Sequence, residues 1–95
     1  MSWKVTAYCG DKCCNGKWAW KTASGHNLSP SDSYQVCAAP KNIPFGTMVH
    51  VSGAWNGTVK VVDRGGAING QRLDIFVHPH SEANKFGVKY CNVNW

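Results

Sequence analysis

Apolar and polar residues alternate with a period of two in six short stretches of the chain, the pattern of strands with one buried face. Trp3 to Tyr8 reads WKVTAY and alternates throughout, whereas Tyr34 to Ala38 is shorter and mostly apolar. Met48 to Ser52 sets Val49 and Val51 on one face, and Thr58 to Val62 alternates up to Asp63. Arg72 to Val77 aligns Leu73, Ile75 and Val77, and Val88 to Asn94 is the last strand-like run. Turn chemistry separates these stretches. Asn56-Gly57 predicts a hairpin between the third and fourth, and Gly65-Gly66 with Asn69-Gly70 breaks the chain before the fifth. One short helix is expected from Ser81 to Phe86, with Ser81 capping its start and Gly87 ending it in a left-handed conformation. Six short strands and one or two short helices predict an all-β fold, closed into a six-stranded barrel because closure removes exposed edges.

With 95 residues the chain suits a single domain over 1–95. The net charge of +5 favours a polyanionic partner, either nucleic acid, anionic lipid or anionic cell wall. The Lys and Arg residues are scattered, which argues against the clustered stripe of a nucleic-acid interface. Five Trp supply flat faces for a core or for stacking on sugars and bases. No apolar run approaches the length of a membrane span. Met1-Ser2-Trp3-Lys4 leads straight into a strand with no visible leader, as in a mature secreted domain or a phage product exported by other means. The cysteines are Cys9, Cys13, Cys14, Cys37 and Cys91, an odd number, so at least one thiol does not pair within the chain. Disulfides in an oxidising compartment account for the Cys9–Cys14 cluster more readily than zinc, which usually draws on two separated pairs. No cofactor is expected.

Only five acids are available: Asp11, Asp32, Asp63, Asp74 and Glu82. Asp74 is the most unusual, since it interrupts an apolar strand and alternation puts it on a face with Arg72 and Phe76. The ordinary explanation is a solvent-facing acid paired with Arg72. The alternative is an acid beside an aromatic ring whose pKa is raised, as a general acid requires. Asp63, at the end of the fourth strand, reads either as a turn residue or as a second carboxylate facing Asp74. Asp11, Asp32 and Glu82 read as structural or solvated. His78-Pro79-His80 is a weak metal motif by itself, and Cys37 and Cys91 lie in strands, where cysteine acts as a small hydrophobe.

Taken together, Ile43-Pro44-Phe45-Gly46-Thr47, Asp63-Arg64-Gly65-Gly66-Ala67-Ile68-Asn69-Gly70 and Arg72-Leu73-Asp74-Ile75-Phe76 resemble the three-aspartate (3D) domain family. Thr22-Ala23-Ser24-Gly25, Glu82-Ala83 to Phe86-Gly87 and the Cys cluster after Thr6-Ala7-Tyr8 fit the same pattern. That family is similar to the catalytic domain of membrane-bound lytic transglycosylase A and to the stationary-phase survival proteins. The resemblance implies a double-psi β-barrel that cleaves the β-1,4 bond between N-acetylmuramic acid and N-acetylglucosamine and leaves a 1,6-anhydro product. It implies Asp74 as the acid and Asp63 as stabiliser of positive charge on the sugar, with Thr22, Arg64, Gly65, Gly66 and Arg72 contacting substrate. No metal is implied. The partner would be peptidoglycan, outside the cell or in the wall, as for a secreted enzyme or a phage endolysin. One position departs from the pattern: Ala39 precedes Pro40 where the family has its first aspartate. A non-catalytic, expansin-like wall-binding module is therefore the alternative function.

Overall fold

The computed structural model describes residues 2–9, 22, 24–64 and 70–95. Among these, six strands close into one barrel in the order β1-β5-β2-β4-β3-β6. They are β1 (Ser2–Tyr8), β2 (Val36–Ala38), β3 (Met48–Gly53), β4 (Gly57–Asp63), β5 (Arg72–Phe76) and β6 (Lys89–Asn94), and one α-helix, α1 (His80–Phe86), sits between β5 and β6. Two pairings are parallel, β1 with β5 and β2 with β4. The remaining four are antiparallel, so no edge is left open.

The alternation seen in the sequence is the inside and outside of this barrel. Val5, Cys37, Val49, Val51, Val59, Val61, Leu73, Ile75, Cys91 and Val93 fill the interior. A second apolar cluster lies on the outer face, where Tyr8, Val36, Ala38, Val62 and Phe76 pack together with Leu28. Phe76 is thus fully buried although it points away from the barrel axis. It meets the Tyr8 ring edge-on at 5.7 Å.

The structure shifts several expected boundaries. The second strand begins at Val36, because Tyr34 has a positive φ of 63° that cannot continue a strand. A single 3-10 turn, Pro30–Asp32, precedes it, held by Ser29 N–H donating to Asp32 Oδ2 at 3.0 Å. That bond confirms Asp32 as a structural acid. The helix begins at His80 with Pro79 as its N-cap, so Ser81 lies inside the first turn and caps nothing. Gly87 ends it as expected, with φ 67°. In the β3–β4 hairpin Asn56 exchanges side-chain bonds with the Gly53 backbone, while Gly57 already belongs to β4.

Of the five Trp, Trp3 is buried in the core and meets Trp95 edge-on at 5.5 Å, whereas Trp18 and Trp20 lie outside the described residues. Trp55 stacks on Tyr34 at 6.0 Å and meets Phe86 edge-on at 6.2 Å. Its indole occupies the space that a side chain at Gly57 would need, since a Cβ there would lie 2.4 Å from Trp55 Cη2. Gly57→Ala is therefore expected to push the indole out of its stack and cost about 1–3 kcal/mol. Urea unfolding followed by Trp fluorescence measures this; unchanged stability and spectrum would mean that the ring is not held there.

Candidate functional site

The site forms where β2 runs between β4 and β5. Val36 and Cys37 pair with Lys60 and Val61, so an unbroken ladder would pair Ala38 with Val62. A register slip between Cys37 and Ala38 instead pairs Ala38 with Asp63. On its other side Ala38 pairs with Asp74. Ala38 therefore has an acid as its partner in both neighbouring strands. Shifting a strand by one residue exchanges its faces, so the bulge brings Asp63 to the face that carries Asp74. Two strand spacings put the two backbones about 10 Å apart. Ala38, between them, is itself buried in the outer apolar cluster.

Asp74 is half-buried, and its Oδ1 accepts a hydrogen bond from the Thr6 hydroxyl at 3.0 Å. Thr6 is its register partner in the parallel β1–β5 pair, 68 residues away in sequence. The sequence reading singled out neither Thr6 nor Tyr8, because alternation does not tell which strand lies beside which. Burial, first, lifts the Asp74 carboxyl above the ordinary carboxylate range, and the charge of Asp63 adds to the lift. The Thr6 hydroxyl and the Arg72 guanidinium oppose it without cancelling it. Asp74 and Arg72 form no ion pair, and Arg72 Nε is buried with no hydrogen-bond partner among the described residues. Burial also raises the Tyr8 phenol, helped by both carboxylates. The Tyr8 hydroxyl lies beside Asp63 but lacks a hydrogen bond of ordinary geometry among the described residues. Beneath the pair, burial first and the Asp74 charge second push the Cys37 thiol up to about 12, although Arg64 opposes them.

Arg64 is locked rather than free. Its guanidinium donates to the carbonyls of Ile43 and Asp63, and it lies 4.2 Å over the Phe45 ring. The Ile43–Thr47 loop is tied to β4 by Gly46 N–H donating to the Val61 carbonyl at 2.8 Å and Val61 N–H to the Thr47 carbonyl at 3.0 Å. The two sequence motifs thus grip each other: one holds the arginine of the other. Arg64 N–H also donates to Asp63 Oδ1 at 2.8 Å, which orients that carboxylate.

Thr22 is buried, and its hydroxyl donates to the His26 carbonyl at 2.8 Å within a turn. The turn touches β4 through Ser24 N–H donating to the Val62 carbonyl at 3.2 Å. Thr22 thus shapes the loop beside the acids instead of presenting its hydroxyl. Gly65 and Gly66 lie outside the described residues. Ala39 is fully buried, with its N–H donating to the Asp63 carbonyl at 3.2 Å. The position that departs from the family pattern is therefore part of the core in this chain.

Because folding raises the Asp74 pKa, the native state holds that proton more tightly than the unfolded chain. Native stability must then fall as pH rises from the ordinary carboxylate value, about 4, towards the raised one. Asp74→Asn cannot ionise and keeps an oxygen for Thr6. It is expected to be at least as stable as wild type at pH 7, with the advantage vanishing below pH of about 4. Urea titrations of both proteins across this range test the point, and a variant that is less stable at neutral pH would contradict the burial argument.

Residues 35–95 match the family model described as the 3D domain. The chain is 40% identical over 73 residues to the cell wall-binding protein YocH of Bacillus subtilis, covering 76% of this chain and 25% of that protein. It is 39% identical over 71 residues to the probable endolytic peptidoglycan transglycosylase RlpA of Aquifex aeolicus, covering 72% of this chain and 29% of that one. Among solved structures, MltA from E. coli superposes with a TM-score of 0.62 at 26% identity, over 77% of this chain and 26% of the enzyme. The chain thus spans well under half the length of these relatives. The closed six-stranded mixed barrel with its short helix is the double-psi barrel of MltA. With its motifs interlocked and its two acids aligned on one face, the chain belongs to the 3D domain family.

Proposed function

We propose that residues 1–95 form a single barrel domain that cleaves peptidoglycan glycan strands as a lytic transglycosylase. The observation that carries this reading is Asp74: a half-buried carboxyl with a raised pKa, facing a second acid on rigid strands. Protonated Asp74 gives its proton to the glycosidic oxygen as the bond from C1 of N-acetylmuramic acid breaks. The 6-hydroxyl of the same sugar attacks C1 and closes the 1,6-anhydro ring, and its proton returns to the Asp74 carboxylate. One residue serves as acid and then base, with no water consumed. Asp63, oriented by the Arg64 N–H, stabilises the positive charge that develops on the ring. Thr6 becomes the hydrogen-bond donor that steadies Asp74 once it is ionised. The names of RlpA, which speaks of peptidoglycan transglycosylase activity, and of YocH, which speaks of wall binding, support a site of action outside the cell or in the wall.

A second reading, a wall-binding module without turnover, has an observation of its own. An open pocket of about 410 Å³ is lined by Tyr34, Trp55 and Phe86, with Glu82, Lys85 and Lys89 at its edge. It lies by the start of β4, whose seven residues carry the chain about 20 Å further to Asp63. Aromatic faces beside ammonium groups suit an anionic sugar polymer.

Incubating the protein with purified sacculi and reading the soluble fragments by mass spectrometry separates the two readings. Anhydro-ended fragments are expected from wild type. Asp74→Asn should lower their rate by about 10²–10⁴-fold, and Asp63→Asn by about 10²–10³-fold. Activity should fall as pH rises through the Asp74 pKa, because the acid must begin protonated. Wall binding with no fragments from any variant would favour the second reading, and fragments carrying added water would mean hydrolysis.

A further inference from the structure

The outer face of β5, β1 and β6 carries side chains that the acid pair does not use. Lys4 is the register partner of Arg72 in the parallel β1–β5 pair and of Tyr90 in the antiparallel β1–β6 pair. Residues opposite one another in a ladder share a face, so Arg72, Lys4 and Tyr90 form one row across three strands. They alternate with Leu73, Val5 and Cys91, which lie in the barrel interior, so the row points outwards. Thr6 and Asp74 form the next row on one side, on the same face. Beyond them Tyr8 and Phe76 are buried, so the solvent-facing continuation of the face from Asp74 runs through Arg72 and Lys4. We propose that Arg72, Lys4 and Tyr90 are an outer subsite for the peptidoglycan strand on which Asp74 acts. Tyr90 stacks on a sugar ring, and the two cations hold carboxylates of the stem peptides that N-acetylmuramic acid carries. The subsite extends the peptidoglycan reading above and rests on it.

Charge is the first support. Lys4 is exposed and Arg72 half-buried, and neither forms an ion pair among the described residues. Arg72 Nε also lacks a hydrogen-bond partner among them. Like charges directly opposite in a ladder destabilise the pairing, and an anion bound between them relieves the repulsion. Apart from Asp74, the described acids lie elsewhere: Asp32 on His26, Glu82 on Lys85, and Asp63 on β4. The second support is the aromatic. Tyr90 is 63% exposed on a strand face, beside the Lys4 ammonium, as a ring that stacks on a sugar would be. Distance is the third. Tyr90 stands two strand spacings across from Asp74 and one two-residue step along, roughly 12 Å between backbones. That is within reach of the neighbouring sugars of a strand cleaved at Asp74. Finally, the row after Lys4 is neutral: Ser2 and Asn92 are partners, and Ser52 follows on β3. Hydroxyls and amides suit sugar hydroxyl groups, whereas a nucleic acid or a phosphodiester polymer calls for a continuous basic stripe.

The test measures binding of the full chain in an Asp74→Asn background, where strands are held and not cut. Co-sedimentation with sacculi freed of phosphate-bearing polymers gives the Kd. Tyr90→Ala should raise it about 5–10-fold, and Tyr90→Phe, which keeps the ring, should retain most of the affinity. Lys4→Glu should raise it about 5–10-fold. Lys60→Glu makes the same charge change on an exposed position of β4, three strands away in the barrel, and should stay within about 2-fold. Soluble strands stripped of their stem peptides should bind with and without Lys4→Glu alike, yet still lose affinity with Tyr90→Ala. An unchanged Kd in Tyr90→Ala, equal losses in Lys4→Glu and Lys60→Glu, or binding that vanishes with the phosphate-bearing polymers would overturn the proposal. Anhydro-ended fragments from wild type, combined with unchanged binding in these variants, would leave the transglycosylase reading standing and remove the outer subsite alone. Failure of every form to bind the wall would remove both.

Discussion

The alignment of the two acids in this barrel hangs on one irregular step in a parallel ladder. Between Cys37 and Ala38 the pairing of β2 with β4 advances by an extra residue, and Asp63 replaces Val62 opposite Ala38. In a regular ladder Val62 would take that place and Asp63 would turn towards the other face of the sheet. The displaced Val62 packs into the outer cluster with Phe76 and Leu28, so burial of its side chain stabilises the irregularity. A β strand of only three residues, ending in Ala38, thereby has an acid opposite its last residue in each neighbouring strand.

The outer apolar cluster has a second consequence. It walls Asp74 on the side of Tyr8 and Phe76, which makes ionisation of the carboxyl costly. Packing that stabilises the fold thereby destabilises the charged form of Asp74. The remaining polar groups are held by backbone: Arg64 by the Ile43 and Asp63 carbonyls, Asp63 by the Arg64 N–H. A site whose members are fixed by main-chain partners and by strands needs little reorganisation when charge develops.

The strands were legible because each buries one face. Val49 and Val51, or Leu73 and Ile75, announce themselves by spacing alone. The paired acids were legible only as candidates, since the bulge that aligns them leaves no trace in the spacing of polar and apolar residues. Thr6 was hidden for a related reason: its bond to Asp74 depends on β1 lying parallel to β5, a pairing across most of the chain. Ser81 misled because a good capping residue stood one position inside a helix that Pro79 already begins. Tyr34 misled because a bulky residue is rarely found at positive φ; a hydrogen bond from its N–H to the Phe76 carbonyl at 2.8 Å and its stack on Trp55 hold it there.

Burial and the neighbouring Asp74 charge favour the thiol form of Cys37 over the thiolate. Thiolates are the form that oxidants and electrophiles attack. A domain working outside the cell would therefore carry an unpaired sulfur through an oxidising environment without protecting it by a crosslink. The same feature frees β2 from any oxidative maturation step, since its pairings with β4 and β5 form without a crosslink.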